Sequence, residues 1–337
     1  MKMRGALSGL LLALMALMAC QPSPGPDPAA LEWSVAFEAK DVGWLLSAFG
    51  PTASDVVAVG GSPASGRIMR FDGSAWAPRD PPAGTPLINW AFGFSSSDLY
   101  FVGGRGTILR YDGVSYTRSA TLTDQNLWGI WGSSPSALWA VGGDGVRAGQ
   151  ATILRGDGQR WEKVAVPTLQ HPDVFAFYKV WGSSADDVYV VGQHGVVLHW
   201  DGAQLSELFV GASQDLISLW GTGPDHLAIV GGRANAELIT FDGTRWNRRD
   251  LGAAPGLNGV FMARPDQTHV VGQNGFIGRF DWASGQLTKF EPLTGLALHA
   301  VFADASGRLF AVGGSLGSID GPFHGVALTR KLGEDER

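Results

Sequence analysis

Side chains able to carry out acid–base or metal chemistry are scattered through the sequence. The closest pair of histidines, His194 and His199, is five residues apart and should diverge across a hairpin. There is no His-Glu-x-x-His segment, and Cys20 is the single cysteine, so the ligand sets typical of zinc and copper sites are missing. No Gly-x-x-x-x-Gly-Lys-Ser/Thr phosphate loop occurs. The sequence therefore predicts no metal site, no cofactor and no catalytic constellation.

The single cysteine has a different chemistry. Lys2 and Arg4 precede an apolar run that ends in Leu17-Met18-Ala19-Cys20. This segment resembles the lipobox of bacterial lipoproteins. The resemblance implies that residues 1–19 are a signal peptide, that the Cys20 thiol takes a diacylglycerol and that the new amine is acylated. The alternative is an ordinary secretory signal with an incidental cysteine.

The residues after Cys20 predict where the protein is held. Residues 20–30 are rich in proline and should form an extended tether, with the membrane as a partner of the acyl chains. In lipoproteins of this kind an Asp after the cysteine often signals inner-membrane retention. Gln21 stands there, which favours the outer membrane of a Gram-negative cell. Loss of Lys2 and Arg4 moves the net charge from −6 to about −8, and no basic run is present, so nucleic acid is not an expected partner.

A repeat of about 40 residues determines the predicted fold. Each unit has an apolar strand ending in an aromatic residue, a second strand ending in glycine, and two further strands. The glycine recurs at intervals of 39 to 50 residues, at Gly60, Gly103, Gly142, Gly192, Gly231, Gly272 and Gly313. Such periods are typical of propeller blades. We therefore predict an all-β, seven-bladed β-propeller of four-stranded antiparallel blades over residues 31–331, followed by a charged tail over 332–337.

The connections complete this prediction. Asp-Gly pairs at 72–73, 112–113, 157–158, 201–202 and 242–243 predict type I′ hairpins, in which both central residues have positive φ. The seventh unit lacks a fourth strand. Residues 31–37, where Trp33 matches the aromatic residue of other fourth strands, should supply it beside residues 326–330. Closing the ring in this way removes two exposed strand edges.

The repeats resemble the WD40-, YVTN- and BNR-like propeller repeats of exported bacterial proteins. This resemblance covers nearly all of residues 31–331. It implies a fold rather than an activity, because such rings carry very different functions. The Asp-Gly-x-x-Trp segments are also similar to the Asp-box of sialidase blades, although Asp and Gly are adjacent here.

Two neighbouring positions in the first strands indicate where a ligand would bind. The first position is apolar in every repeat and should belong to the core: Leu45, Ile88, Leu127, Phe177, Leu216, Leu257 and Leu298. The next position varies and is a candidate lining of the channel mouth: Leu46, Asn89, Trp128, Tyr178, Ile217, Asn258 and His299. Trp128 and Tyr178 come from adjacent blades and could stack on a sugar or peptide. The alternative is that both rings pack beneath loops.

Loop lengths extend this candidate patch. The widest repeat interval leaves room for insertions at 146–151 and 164–176, on the same face. Long loops on a rigid ring often carry recognition. The insertions and the neighbouring loop add Arg147, His171, Gln193 and His194 to the candidate binding residues.

These observations favour a monomeric, non-catalytic binding or scaffolding propeller of the cell envelope that recognises a protein or a glycan at the channel mouth. A carbohydrate-active enzyme, either a glycosidase or a lyase, on the same face is the alternative. It is motivated by the Asp-box likeness and by polar mouth residues such as Asp215. A glycosidase needs two carboxylates facing each other across a cleft, which turn aspartates fixed by the repeat do not supply.

Overall fold

Seven four-stranded antiparallel sheets make up the computed structural model, which describes residues 32–144, 150–264, 267–318 and 320–333. The first strands of neighbouring sheets pack against one another all the way round, and the last also packs against the first. The predicted seven-bladed propeller is therefore confirmed. Within the described residues, no helix is long and apolar enough to span a bilayer.

Equivalent strands occupy equivalent places in blades 1 to 7. The innermost strands are β2 (Trp44–Thr52), β6 (Ile88–Ser95), β10 (Leu127–Ser134), β14 (Phe177–Ser184), β18 (Leu216–Gly223), β22 (Leu257–Arg264) and β26 (Ala297–Ala303). The second strands are β3 (Asp55–Ser62), β7 (Asp98–Gly103), β11 (Ala137–Gly142), β15 (Asp187–Gly192), β19 (His226–Gly231), β23 (Gln267–Gly272) and β27 (Arg308–Gly314). The third strands are β4 (Ser65–Phe71), β8 (Ile108–Tyr111), β12 (Thr152–Gly156), β16 (Val197–Trp200), β20 (Glu237–Phe241), β24 (Ile277–Asp281) and β28 (Gly325–Lys331). The fourth strands are β5 (Trp76–Arg79), β9 (Tyr116–Arg118), β13 (Trp161–Lys163), β17 (Leu205–Leu208), β21 (Trp246–Arg249), β25 (Leu287–Phe290) and, for blade 7, β1 (Ser34–Val35).

The repeat glycine is required by a close approach between the first two strands. Each of the seven lies opposite the apolar residue of the first strand, as Gly60 lies opposite Leu45. A Cβ at Gly60 would lie 1.8 Å from the carbonyl oxygen of Trp44, which is far inside van der Waals contact. All seven apolar partners are 0% exposed, so the prediction that they form the core is confirmed.

A β-bulge follows this apolar residue in every first strand. In β2, for example, Leu45 pairs with Gly60 and Ser47 with Val59, so Leu46 has no partner in the ladder. The same shift occurs in all seven first strands. The extra residue is in each case the variable one of the sequence repeat. A bulge changes the direction of the side chains on the strand. The side chains at this position still differ in burial, since Leu46 and Ile217 are buried with the core rather than lining the mouth.

The Asp-Gly hairpins differ from the prediction. Gly73 has φ +97°, and the glycines of the other four pairs are also positive, but the preceding aspartates are not. The type I′ assignment is therefore wrong, since it needs positive φ at both residues. Asp72 instead stands before the turn, where its Oδ1 accepts the N–H groups of Ser74 and Ala75. These hydrogen bonds lower the pKa of Asp72 to about 2.

The two ends of the described chain meet in blade 7. Ser34 pairs with Thr329 and Val35 with Leu328, and the N–H of Ala36 donates to the carbonyl oxygen of Ala327. Closure by the N-terminal segment is thus confirmed, although its regular strand is shorter than the predicted 31–37. The Trp33 side chain is buried, in a core cluster that extends over blades 7 and 1.

Some sequence predictions lie outside the described residues. They are the signal peptide over 1–19, Cys20 and the tether over 20–30, Leu31, Arg147 and residues 334–337. At the C-terminal end, Leu332 is buried and its N–H donates to the carbonyl oxygen of Gly307. The folded part therefore extends to Leu332, which the sequence placed in the charged tail.

Removing the Trp33 ring should weaken ring closure. We expect Trp33→Ala to lower the free energy of unfolding by about 3–5 kcal/mol, because it deletes a large buried side chain. Trp33→Phe is the matched control, since the indole Nε1 has no hydrogen-bond partner within the described residues and the aromatic bulk is kept. Urea unfolding gives the measurement. Equal losses for the two variants would contradict this role.

Candidate functional site

The loops that lead into the first strands and those that join second to third strands gather at one face of the ring. The bulge residues lie at this face, which we call the mouth face. Trp128 and Tyr178, from adjacent blades, are both half-buried there, with ring centroids 6.4 Å apart in an edge-to-face arrangement. The Trp128 Nε1–H donates to the carbonyl oxygen of Gly143 at 2.9 Å. The predicted aromatic pair is thus assembled, and each ring keeps some exposed surface.

Three other bulge residues bridge neighbouring blades. The amide of Asn89 donates to the carbonyl oxygen of Leu127 at 2.8 Å, and that of Asn258 donates to the carbonyl oxygen of Leu298 at 2.9 Å. His299 Nδ1 lies 2.7 Å from the carbonyl oxygen of Leu46, across the junction between blades 7 and 1. Through these contacts, the three residues connect neighbouring blades at the mouth face.

The electrostatic surroundings of His299 disfavour its charged form. Burial lowers its pKa to about 4, and the positive charges of Lys179 and Arg233 act in the same direction.

The loop residues predicted for the patch divide into two kinds. Gln193 is buried, and its Oε1 accepts the N–H groups of Phe175 and Ala176, which fixes the loop before β14. His171 and His194 are exposed and stacked, with centroids 3.7 Å apart and planes at 6°. The prediction therefore identified two residues that come together on the surface and one that supports them.

An ion pair missed by the sequence analysis connects the aromatic pair with the stacked histidines. Arg233 donates from Nε and Nη2 to Asp215 at 3.0 and 2.8 Å, and from Nη2 to the Tyr178 hydroxyl at 3.0 Å. The other Asp215 oxygen accepts the N–H of His194. Burial raises the pKa of Tyr178, so the hydroxyl stays protonated at neutral pH. The result is one polar network spanning blades 4 and 5.

An exposed phenylalanine borders this network. Phe209 is 79% exposed and lines a surface depression of about 290 Å³ together with His171, His194 and Glu207. An exposed aromatic ring beside polar groups is typical of a protein-binding surface. Sequence reasoning missed Phe209 because it lies in the loop after β17, outside the repeat positions compared.

Side chains line and narrow the central channel. The aromatic residues that end the predicted first strands surround it at the end far from the mouth: Phe49, Phe92, Trp131, Trp181, Trp220, Phe261 and Phe302. Towards the mouth, the Lys179 Nζ lies 2.8 Å from the centroid of the Trp90 ring. A cavity of about 70 Å³ lies between these groups. Trp90 and Lys179 were not among the predicted site residues, although both stand directly after a variable position of the repeat.

The carboxylates that the sequence analysis considered for catalysis are engaged, and only Asp215 among those described below lies at the mouth face. Asp215 is held by Arg233, and Asp55, Asp98 and Asp187 pair with Arg70, Arg110 and His199, respectively. Within the described ranges, no cluster of three or more histidines and carboxylates could hold a metal ion. The arrangement offers stacking surfaces and hydrogen-bonding groups for recognition.

Comparisons with known proteins support the fold and point to one relative. No family model matches the chain. The immune protein Tsi7 of Pseudomonas aeruginosa is 28% identical over 193 residues, which are 54% of this chain and 57% of that protein. The chain thus matches little more than half the length of this curated relative.

Solved structures with little sequence similarity have the same architecture. The structure of YCF48 bound to D1 peptide has a TM-score of 0.66 at 14% identity and covers 92% of this chain and 99% of that one. The WD40 propeller domain of Doa1 has a TM-score of 0.67 at 10% identity, over 89% and 97%. YCF48 from Cyanidioschyzon merolae has a TM-score of 0.66 at 12% identity, over 89% and 99%. These likenesses establish a WD40-like propeller fold.

Replacing His299 by asparagine, the residue at the equivalent position of blades 2 and 6, should make the free energy of unfolding less sensitive to acid. The folded-state pKa of His299 lies below the unfolded value of 6.5, so the unfolded state takes up a proton first and stability falls between pH 6.5 and 4. His299→Asn should abolish up to about 3 kcal/mol of this loss and keep a bridge to Leu46. Urea unfolding of both proteins across this range gives the difference. Parallel pH profiles would show that His299 does not titrate in this way.

Proposed function

We propose that this chain is a non-catalytic binding propeller that recognises another protein at its mouth face, while lipid on Cys20 holds it at the cell envelope. The observation that carries the proposal is the surface formed by Trp128, Tyr178, Arg233 and the His171–His194 stack. Aromatic rings and arginine are the residues most often found at the energetic centres of protein interfaces.

The comparisons support a binding role by analogy. WD40-like propellers typically mediate protein binding, and one neighbour of this shape is described as bound to a peptide. The relative from Pseudomonas aeruginosa is named an immune protein. We extend to this chain only the idea that an immune role of this kind would be exercised through protein binding. The glycosidase or lyase alternative has no specific support, because Asp215 is occupied by Arg233 and by the N–H of His194.

The proposed anchor predicts that Cys20 alone determines lipidation. In cells fed a radiolabelled fatty acid, the wild-type chain should incorporate label and sediment with membranes. Cys20→Ala should lose all incorporation and leave the membrane fraction, since no other cysteine can take a diacylglycerol. Envelope fractionation by density would then test the outer-membrane assignment. Label on the Cys20→Ala protein would contradict the lipobox interpretation.

The proposed interface predicts that partner binding depends on the aromatic pair. The full chain in detergent should retain a specific envelope or secreted protein, identified by mass spectrometry and then purified for affinity measurements. We expect Trp128→Ala combined with Tyr178→Ala to weaken binding at least tenfold, about 1.4 kcal/mol, because both rings offer contact surface.

A surface residue away from the mouth provides the control for this experiment. Val114 is 91% exposed in the hairpin between β8 and β9, on the opposite face of the ring. Val114→Ala should leave the affinity unchanged within twofold. A partner that binds the double variant as tightly as the wild type, with both proteins folded, would show that the mouth aromatics do not form the interface.

A further inference from the structure

The channel is filled by only two of seven equivalent side chains. The residue that follows the bulge in each first strand is small in five blades and large in blades 2 and 4: Ser47, Trp90, Gly129, Lys179, Ser218, Gly259 and Ala300. Blade 3, which lies between the two large residues, has Gly129. A Cβ there would lie 3.2 Å from the Lys179 Cα, so the glycine allows β10 and β14 to approach closely. Lys179 can then reach Trp90 across the missing side chain.

Lys179 is an amine in an apolar site. Its side chain is 4% exposed and lines the channel cavity, whose other described lining residues include no carboxylate. The described residues give its Nζ no hydrogen bond or ion pair, and its polar contact is with the face of Trp90. Burial lowers the pKa of Lys179 well below its usual 10.5. An unpaired ammonium is costly to bury, whereas an apolar residue of similar length would not be.

The position of Lys179 connects it with the mouth. It directly follows Tyr178, whose hydroxyl is held by Arg233. Because Lys179 lies on the mouth side of the aromatic residues at the far end, a group that enters the channel from the mouth would reach Lys179 before them. Lys179 also lines the cavity of about 70 Å³, which has the volume of about two water molecules and so has room for a carboxylate beside the amine but not for a large side chain.

We propose that Lys179 is the binding site for a carboxylate, supplied by an acidic side chain or the C-terminus of the partner protein, which enters the mouth and pairs with the Lys179 ammonium above Trp90. This inference rests on the proposed protein-binding function and names the chemistry of the contact. Where Lys179 is a neutral amine, it takes one proton from solvent when the carboxylate enters. The resulting ion pair needs no further charge from the ring, and the Trp90 face adds a favourable contact with the cation.

Sodium acetate tests the site without a partner. The sequence has six lysines, one of them Lys2 in the proposed signal peptide, so a sample in detergent labelled with ¹³C-lysine can be titrated residue by residue, with Lys179→Met assigning the signal. We expect 0.5 M acetate to raise the pKa of Lys179 by at least one unit, while sodium chloride at equal ionic strength does not. Lys163, on β13, provides the internal control because its signal should not respond. No change with acetate, or an equal change with chloride, would overturn the proposal.

The partner identified through the mouth aromatics provides the second measurement. Lys179→Met should weaken its binding at least tenfold, and Lys163→Met should not. Calorimetry at several pH values between 7 and 10, in buffers of different ionisation enthalpy, should show proton uptake by the wild type that Lys179→Met lacks, because the carboxylate raises the lowered pKa of Lys179. Unfolding curves confirm that both variants are folded, and Met is expected to be tolerated because it restores an apolar channel.

The outcomes separate this proposal from the proposed function. If Lys179→Met binds the partner as tightly as the wild type while the double aromatic variant does not, the carboxylate site is wrong and the binding function stands. If acetate raises the pKa of Lys179 but no protein depends on the mouth aromatics, the protein-binding function is wrong. The site is then one for a free carboxylate, and the partner protein as its source is overturned.

Discussion

The ring depends on one short antiparallel pairing, between β1 and β28. Each blade has two apolar faces, and both are buried only if another blade covers each of them. The pairing of Ser34 and Val35 with Thr329 and Leu328 gives blade 7 its fourth strand and fixes it beside blade 1. The core cluster around Trp33 accordingly contains residues of both blades, among them Leu45 and Phe310. His299, bonded to Leu46, bridges the same junction at the mouth. Closure therefore fixes the core and the rim of the mouth together.

The bulge in each first strand separates an invariably apolar core position from a position whose residue varies between blades. The residue before it, such as Leu127 or Phe177, is wholly buried and faces a glycine that no other residue could replace without a clash. The bulge residue leaves the ladder, and its side chain is half-buried where it is Trp128, Tyr178 or His299 and buried in the other blades. Trp128 and Tyr178 can therefore differ from the asparagines of other blades without affecting the sheet. Loops then add the charged groups, as Arg233 does for Tyr178.

Much of the fold could be predicted because the same blade pattern recurs seven times in the sequence. The spacing of the glycines gave the number of blades, and the missing fourth strand of blade 7 implied closure. The predicted turn type of the Asp-Gly hairpins was wrong. The prediction took Asp and Gly as the two central residues, whereas Asp72 stands before the turn and accepts backbone N–H groups with its side chain.

The candidate site could be predicted only in part. Trp128 lies beside Tyr178, and His171 beside His194, as predicted from their places on adjacent blades and loops. Asn89 and Asn258 are at the mouth, yet their amides bond to the next blade, which a sequence does not reveal. Arg233, Phe209 and Lys179 were missed because loop conformations and the bulge determine where these side chains lie. Comparing the next position of each first strand across the seven repeats would have identified Lys179 as the charged residue among them.

Lys179 departs from the repeat pattern, which places a small residue at the equivalent channel position of five blades. Elsewhere the ionic groups that lie between strands have partners, as Arg70 has Asp55 and Arg110 has Asp98. The channel position of Lys179 is filled by Ser, Gly or Ala in five blades, so the fold has no need of a long side chain there. A buried amine lowers stability, and nothing in the described part of the ring compensates its charge. Departures of this kind concentrate at functional sites, because a ligand supplies the missing interaction when it binds. In the proposed mode of binding, the mouth aromatics and Lys179 form one site, in which the half-buried rings provide contact area and the buried amine provides selectivity for negative charge.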